Sequence, residues 1–228
     1  MILFRKAILI IHGFAGGTYD QEKLANFLEK NSKFDVYTFT LPGHEKWSFK
    51  TVKYQEWVDE SEKQIKQLIN YGYKEIYLIG HSMGGVIATH LATKYSQVSK
   101  IVLVAPSFKY LVSDELSTVD KIKNSIEALK NHEADEVLTR FLKLPLTSLN
   151  EFVKLVEEYK DEYLKLNIST MIVHGRKDTI VPIEGSEGLY NLIPAVDKKI
   201  LYLDNATHDV FNENNEIVLK QIENFLKK

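Results

Sequence analysis

Short apolar runs alternate along the chain with longer stretches of helical periodicity. The runs are Ala7–Ile11, Val36–Leu41, Ile76–Ile79, Ile101–Ala105, Met171–Val173 and Ile200–Leu203. Each is a few residues long, continuously apolar or nearly so, and rich in Ile, Leu and Val, so they read as strands covered on both faces of a parallel sheet. Between them, Asp20–Lys30, Val52–Tyr71, Gly84–Lys94, Gly185–Asn191 and Glu213–Leu226 read as helices. In the last of these, Ile217, Val218, Ile222 and Leu226 are expected to cover one face of the sheet. The alternation predicts an α/β domain with six core strands.

One interval breaks the rhythm. Between Ala105 and Ile168 lie about sixty residues that read as helices with no strand among them, which marks an insertion. Val119, Ile122, Ile126 and Leu129 repeat at helical spacing, as do Leu149, Phe152, Val153 and Val156, with Pro145 as the break between helices. No internal repeat or low-complexity stretch is present.

The 228 residues suffice for one sizeable core, and 44% hydrophobic with 26% charged residues is ordinary globular usage. The net charge is -2, with 29 basic and 31 acidic residues intermixed, which argues against nucleic acid as a partner. The absence of cysteine excludes disulfides, thiolate zinc sites and a cysteine nucleophile, and suits a cytoplasmic location. Arg5 and Lys6 interrupt the apolar N-terminus and no small-residue cleavage site follows, so Met1–Ile11 reads as a buried strand, not a signal peptide. No run approaches the about 18 apolar residues of a membrane-spanning helix.

Chemistry concentrates in Gly80-His81-Ser82-Met83-Gly84-Gly85, directly after a strand run and directly before a helical pattern. Glycines on both flanks let a strand turn sharply into a helix and lift Ser82 above the sheet edge, where open α/β sheets place ligands. A glycine-rich turn with a capping serine is the competing reading. The strand-then-helix context favours a nucleophile.

A serine hydroxyl is a weak nucleophile at neutral pH and needs a base, which in turn needs an orienting group. Of seven histidines, His208 alone follows the last strand run, in the short loop before the final helix. A loop histidine is by itself usually solvated surface, and it is the elbow that singles this one out. Asp178 follows the run Met171–Val173 in His174-Gly175-Arg176-Lys177-Asp178-Thr179-Ile180-Val181-Pro182, a turn bounded by glycine and proline. An aspartate capping a turn is the plain alternative, and Asp204 and Asp209 compete by lying near His208. The order Ser, acid, His selects Asp178.

An anionic oxygen formed by attack on a carbonyl requires preorganised donors. Met83 offers a backbone N–H at the start of the elbow helix, and Phe14 another in His12-Gly13-Phe14-Ala15-Gly16-Gly17. This loop lacks the lysine and Ser/Thr of a P-loop and does not fit G-x-G-x-x-G, which argues against phosphate binding.

These motifs resemble the α/β-hydrolase family, in particular small bacterial carboxylesterases and monoacylglycerol lipase-like enzymes, over nearly the whole chain. The glycine loop is similar to the family's oxyanion loop, Leu41-Pro42-Gly43-His44 to a loop after the next strand, and Gly80–Gly85 to its elbow. The stretches 174–182 and Ala206-Thr207-His208 resemble the acid and base loops, with Thr207 where relatives often carry glycine. The resemblance implies an α/β-hydrolase fold: a mostly parallel central sheet flanked by helices, with residues 1–106 and 167–228 as core and 107–166 as a helical cap. The first motif arrives by His12, so the sheet should be trimmed at that edge.

The implied activity is cleavage of small-molecule carboxylic esters with short to medium acyl chains, by Ser82, His208 and Asp178 with Phe14 and Met83 as oxyanion donors. Phe108, Leu111, Phe141, Leu144 and Leu146 of the insertion would line an acyl pocket or form the cap's own core, and the core is the reading for most of them. His44, His81, His90 and His174 take structural or supporting roles, and their spacing suggests neither a metal nor any cofactor. Thioesterase, amidase, lactonase and C–C bond hydrolase chemistry share this scaffold, and a ligand-binding module without catalysis is a further alternative. A serine at the elbow argues against the aspartate-based dehalogenases and epoxide hydrolases. Oligomeric state leaves no signal in the sequence.

Overall fold

The computed structural model describes residues 5–45, 48–108, 145–211 and 216–228. In chain order the elements are β1 (Ala7–Ile11), α1 (Glu22–Asn31), β2 (Asp35–Thr38), β3 (His44–Glu45), β4 (Ser48–Phe49), α2 (Tyr54–Asn70), β5 (Ile76–His81), α3 (Met83–Lys94) and β6 (Val98–Val104). Then come α4 (Leu146–Tyr159), β7 (Ser169–Gly175), α5 (Ile183–Leu192), β8 (Lys198–Leu203) and α6 (Glu216–Lys227). Six strands form one sheet in the order β2-β1-β5-β6-β7-β8, every pairing parallel, while β3 and β4 make a separate antiparallel ribbon.

The continuous apolar runs follow from burial on both faces. In β1, Ala7, Leu9 and Ile11 face a layer that includes α2, α3, α4 and α5, while Ile8 and Ile10 face α1 and α6. The same alternation runs through β5, with Ile76 and Leu78 on one side and Tyr77 and Ile79 on the other. Each large apolar side chain so enclosed stabilises the fold by about 1.5–3 kcal/mol. Edge strands β2 and β8 are only partly covered, and there Asp35 and Lys198 interrupt the apolar pattern.

Several boundaries depart from the sequence reading. The second strand ends at Thr38, and Leu41 is buried in the following loop, where its N–H donates to His12 Nε2 at 3.0 Å. The first helix opens with a 3-10 turn, Thr18–Gln21, in which Asp20 Oδ2 accepts the Gly17 N–H at 2.9 Å. In α6, Val218, Ile222 and Leu226 are buried, but Ile217 is 70% exposed. One residue is about 100° of helix, so Ile217 lies on the flank and Leu219 and Phe225 complete the buried face instead.

Of the insertion, α4 is described: Pro145 precedes it, and Leu149, Phe152, Leu155 and Val156 join the core beneath it while Val153 is half-buried. The apolar repeat Val119, Ile122, Ile126 and Leu129, the positions Leu111, Phe141 and Leu144, and the side chain of Leu146 lie outside the described residues. Phe108 is buried in the core.

Helix α3 seats against the end of β1 so closely that a Cβ at Gly84 would lie 2.3 Å from the Ile11 carbonyl oxygen and 2.6 Å from that of His12. Gly84→Ala is therefore expected to destabilise the protein by about 1–3 kcal/mol. A urea titration would show a lowered midpoint with an unchanged slope; an unchanged midpoint would contradict this seating.

Candidate active site

Ser82 stands between β5 and α3 with φ 53° and ψ −118°. A positive φ on a non-glycine residue is strained by about 1–3 kcal/mol and persists only where surroundings over-determine it. Here the Ser82 N–H donates to Val104 O at 2.8 Å, and its carbonyl accepts the Gly85 N–H at 2.9 Å. The flanking glycines are required by proximity: a Cβ at Gly80 would stand 2.4 Å from Gly84 O. Met83 is the first residue of α3, so its N–H has no acceptor within the helix.

The loop after β1 lies directly on this turn, for a Cβ at Gly13 would be 3.1 Å from Ser82 Cβ. His12 holds the loop in place. Its Nε2 accepts the Leu41 N–H, so its proton is on Nδ1, which donates to Gly13 O at 2.8 Å. The Gly16 N–H reaches the same oxygen at 3.1 Å. A trans peptide points its N–H opposite its carbonyl, so these two bonds fix the direction of the Phe14 N–H. The Phe14 ring stacks on Phe152 of α4 at 5.2 Å, which places the described part of the insertion against this loop.

Asp178 and His208 are joined, with Nδ1 to Oδ2 at 2.8 Å and the Asp178 side chain fully buried. Oδ1 accepts the N–H groups of Ile180 and Val181 at 2.8 and 2.9 Å. His174 Nε2 lies 3.1 Å from Oδ2 and 3.0 Å from Val181 O, and its Nδ1 is 2.6 Å from Ser186 Oγ. Burial alone would raise the Asp178 pKa. The charge and hydrogen bond of His208, with the bonds from His174 and the Val181 N–H, outweigh it and hold the carboxyl well below the usual carboxylate range. With its Nδ1 proton directed at a carboxylate, neutral His208 carries its lone pair on Nε2.

His81 connects this pair to the elbow: its Nε2 donates to His208 O at 3.0 Å and the two rings are 4.8 Å apart. The structure thus gathers Phe14, Ser82, Met83, Asp178 and His208 at the ends of β1, β5, β7 and β8. The competing Asp204 pairs with Arg176 at 2.9 Å on a side chain 85% exposed, and His208 Nδ1 is bonded to Asp178. Two participants were not singled out from the sequence. His12 orients the glycine loop, and Ser107, just past β6, bonds the Ser82 hydroxyl; the partner of each depends on which strands are neighbours. Among the described residues no cluster of three or more His, Cys, Asp or Glu could hold a metal ion, and no described helix is long and apolar enough to cross a membrane.

A family model described as alpha/beta hydrolase fold matches residues 6–136. The chain belongs to the α/β-hydrolase fold family. A second model, serine aminopeptidase S33, matches residues 114–215. The carboxylesterase of Bacillus subtilis (strain 168) is 23% identical to this α/β hydrolase over 98% of the chain and 93% of its own length. The monoglyceride lipase of Saccharomyces cerevisiae is 26% identical over 98% and 84%. Among solved structures, an esterase from Exiguobacterium antarcticum shares the fold with a TM-score of 0.78 at 19% identity, over 98% of this chain and 92% of its own.

Three buried histidines of this α/β hydrolase are held neutral. Burial, reinforced by neighbouring histidines, lowers His12 and His81 from 6.5 to about 3, and burial lowers His44 to about 4. Between about pH 6.5 and 4 the unfolded chain therefore binds more protons than the folded one, and stability falls as pH is lowered through that window. Each histidine contributes up to about 1.4 kcal/mol per pH unit there and nothing above about pH 7. The depressed Asp178 acts in the same direction only below the ordinary carboxylate range. Thermal unfolding midpoints are expected to drop progressively from pH 7 to pH 5, and a flat profile would show that these rings are not neutral in the fold.

Proposed function

We propose that this α/β hydrolase cleaves carboxylic esters through an acyl-enzyme on Ser82, with His208 as general base and Asp178 as the acid that orients it. The observation that carries the reading is the bond from His208 Nδ1 to a fully buried carboxylate, in a loop whose own backbone is bonded to the residue preceding Ser82. The names of the relatives, a carboxylesterase and a monoglyceride lipase, support ester chemistry.

In this mechanism His208 Nε2 takes the Ser82 proton as Oγ attacks the carbonyl carbon. The Met83 and Phe14 N–H groups stabilise the oxyanion, each donor of this type being worth about 10²–10³ in rate. The protonated His208 then gives its proton to the departing alcohol, and the cycle repeats with water to release the acid. Asp178 keeps the imidazole in the required tautomer and balances its transient charge. The reading takes residues 107–166 as a cap, which the stacking of Phe152 on Phe14 supports, and short to medium acyl chains as the substrates. The reading includes a small-molecule ester substrate and a cytoplasmic location.

The test is hydrolysis of p-nitrophenyl esters from acetate to long acyl chains by the wild type and Ser82→Ala. The wild type is expected to prefer short or medium chains and the variant to lose at least about 10³-fold in kcat. Equal turnover by both would remove Ser82 as nucleophile, and no turnover by either would move the function to another bond. The serine aminopeptidase match favours amides as a second reading, and an aminoacyl p-nitroanilide measured alongside decides between them.

A further inference from the structure

The hydroxyl of Ser82 is engaged by a second hydroxyl. Ser107 Oγ lies 2.8 Å from Ser82 Oγ, and the Ser107 N–H approaches the Ser82 carbonyl at 3.4 Å. Ser107 is 1% exposed. It reaches this place through a strained turn: β6 ends at Val104, Ala105 adopts φ 43° with its N–H bonded to Val173 O at 2.8 Å, and Pro106 follows. An alanine gains nothing of its own from a left-handed backbone. The strain is borne where the chain brings Ser107 against the nucleophile.

Either hydroxyl could donate on geometry alone, and the direction follows from where the acyl-enzyme reading sends the Ser82 proton. Two hydroxyls joined by one hydrogen bond place one proton between them and leave the other to find an acceptor elsewhere. Among the described residues, Ser107 Oγ has no hydrogen-bond partner besides Ser82 Oγ. Were Ser82 the donor, its proton would be turned away from His208, and the buried Ser107 proton would have no acceptor among the described residues. With Ser107 as donor the Ser82 proton is left for His208, the base that the acyl-enzyme reading assigns.

We propose that Ser107 is a catalytic hydroxyl that donates to Ser82 Oγ, directing the Ser82 proton to His208 and stabilising Oγ as it leaves the acyl group in deacylation. This rests on the acyl-enzyme reading above. In deacylation the water oxygen bonds the acyl carbon while its proton passes to His208 Nε2. The bond from carbon to Oγ then breaks and Oγ takes that proton. Ser107 keeps its own proton throughout. A donor on Oγ draws electron density from an attacking oxygen and stabilises a departing one, so its removal slows deacylation more than acylation.

Stopped-flow hydrolysis of a p-nitrophenyl ester, whose good leaving group makes deacylation limiting, separates the two steps. For Ser107→Ala, kcat is expected to fall about tenfold, with kcat/KM, which reports acylation, changed by less than about threefold. Acyl-enzyme should accumulate on Ser82 by intact mass. Ser107→Cys keeps the shape with a weaker donor and should be intermediate. Wild-type kcat in either variant, or an equal fall in kcat and kcat/KM, overturns the proposal. If the wild type itself forms no acyl-enzyme on Ser82, the reading beneath it fails; a wild-type burst with an unaltered Ser107→Ala removes the role of Ser107 alone.

Discussion

A carboxylate withdrawn from water costs several kcal/mol unless donors replace its hydration, and Asp178 has no exposed side-chain surface. Its compensation organises the surrounding structure. Two donors are the backbone of its own loop, Ile180 and Val181, and the other two are rings from β7 and from the loop after β8, His174 and His208. Satisfying one charge therefore fixes the loop after β7, the loop after β8 and the imidazole between them. Ser186 on α5 extends the arrangement by bonding the far side of His174, so a helix packed on the sheet is tied to the same centre.

The sheet topology makes this convergence possible. All strands of the large sheet run parallel, so the segments that leave β1, β5, β6 and β7 emerge at one edge as immediate neighbours. Three non-glycine residues adopt positive φ among the described residues: Ala15, Ser82 and Ala105. Each follows one of the three adjacent strands β1, β5 and β6. Strain is thus confined to the edge where the backbones crowd, and the buried two-sided strands behind it supply the stability that holds it.

The strands were legible because burial on both faces leaves nothing for a polar alternation to mark. The same logic misplaced Leu41, since an apolar residue buried under a loop looks like the continuation of a strand. Ile217 neighbours Val218 along the sequence but lies about 100° away around the helix, outside the buried face. The ribbon of β3 and β4 has only two residues in each strand, too few for any period. The elbow was legible for a physical reason, as Gly80 and Gly84 sit where backbone approaches too closely for a side chain. Asp178 and His208, thirty residues apart, were paired by their places after successive strands. Ser107 and His12 carry no comparable mark. Their partners, Ser82 and Leu41, follow from strand order and loop path, which short apolar runs do not encode.

Among the described residues five buried histidines converge on the same edge, and the proposed chemistry needs His208 to take up a proton beside uncharged neighbours. His12 accepts the Leu41 N–H on one nitrogen and donates to a carbonyl from the other, a pattern only the neutral ring can satisfy. His81 donates to the His208 carbonyl and is held neutral by burial and by the proximity of His208. Were His81 charged, an imidazolium forming on His208 would face a like charge with ring centroids only 4.8 Å apart, and the pull of Asp178 would be divided between two cations. A neutral His81 leaves the carboxylate to act on His208. The burial that makes the fold sensitive to acid is the same burial that keeps His12, His44 and His81 neutral around the pair formed by Asp178 and His208.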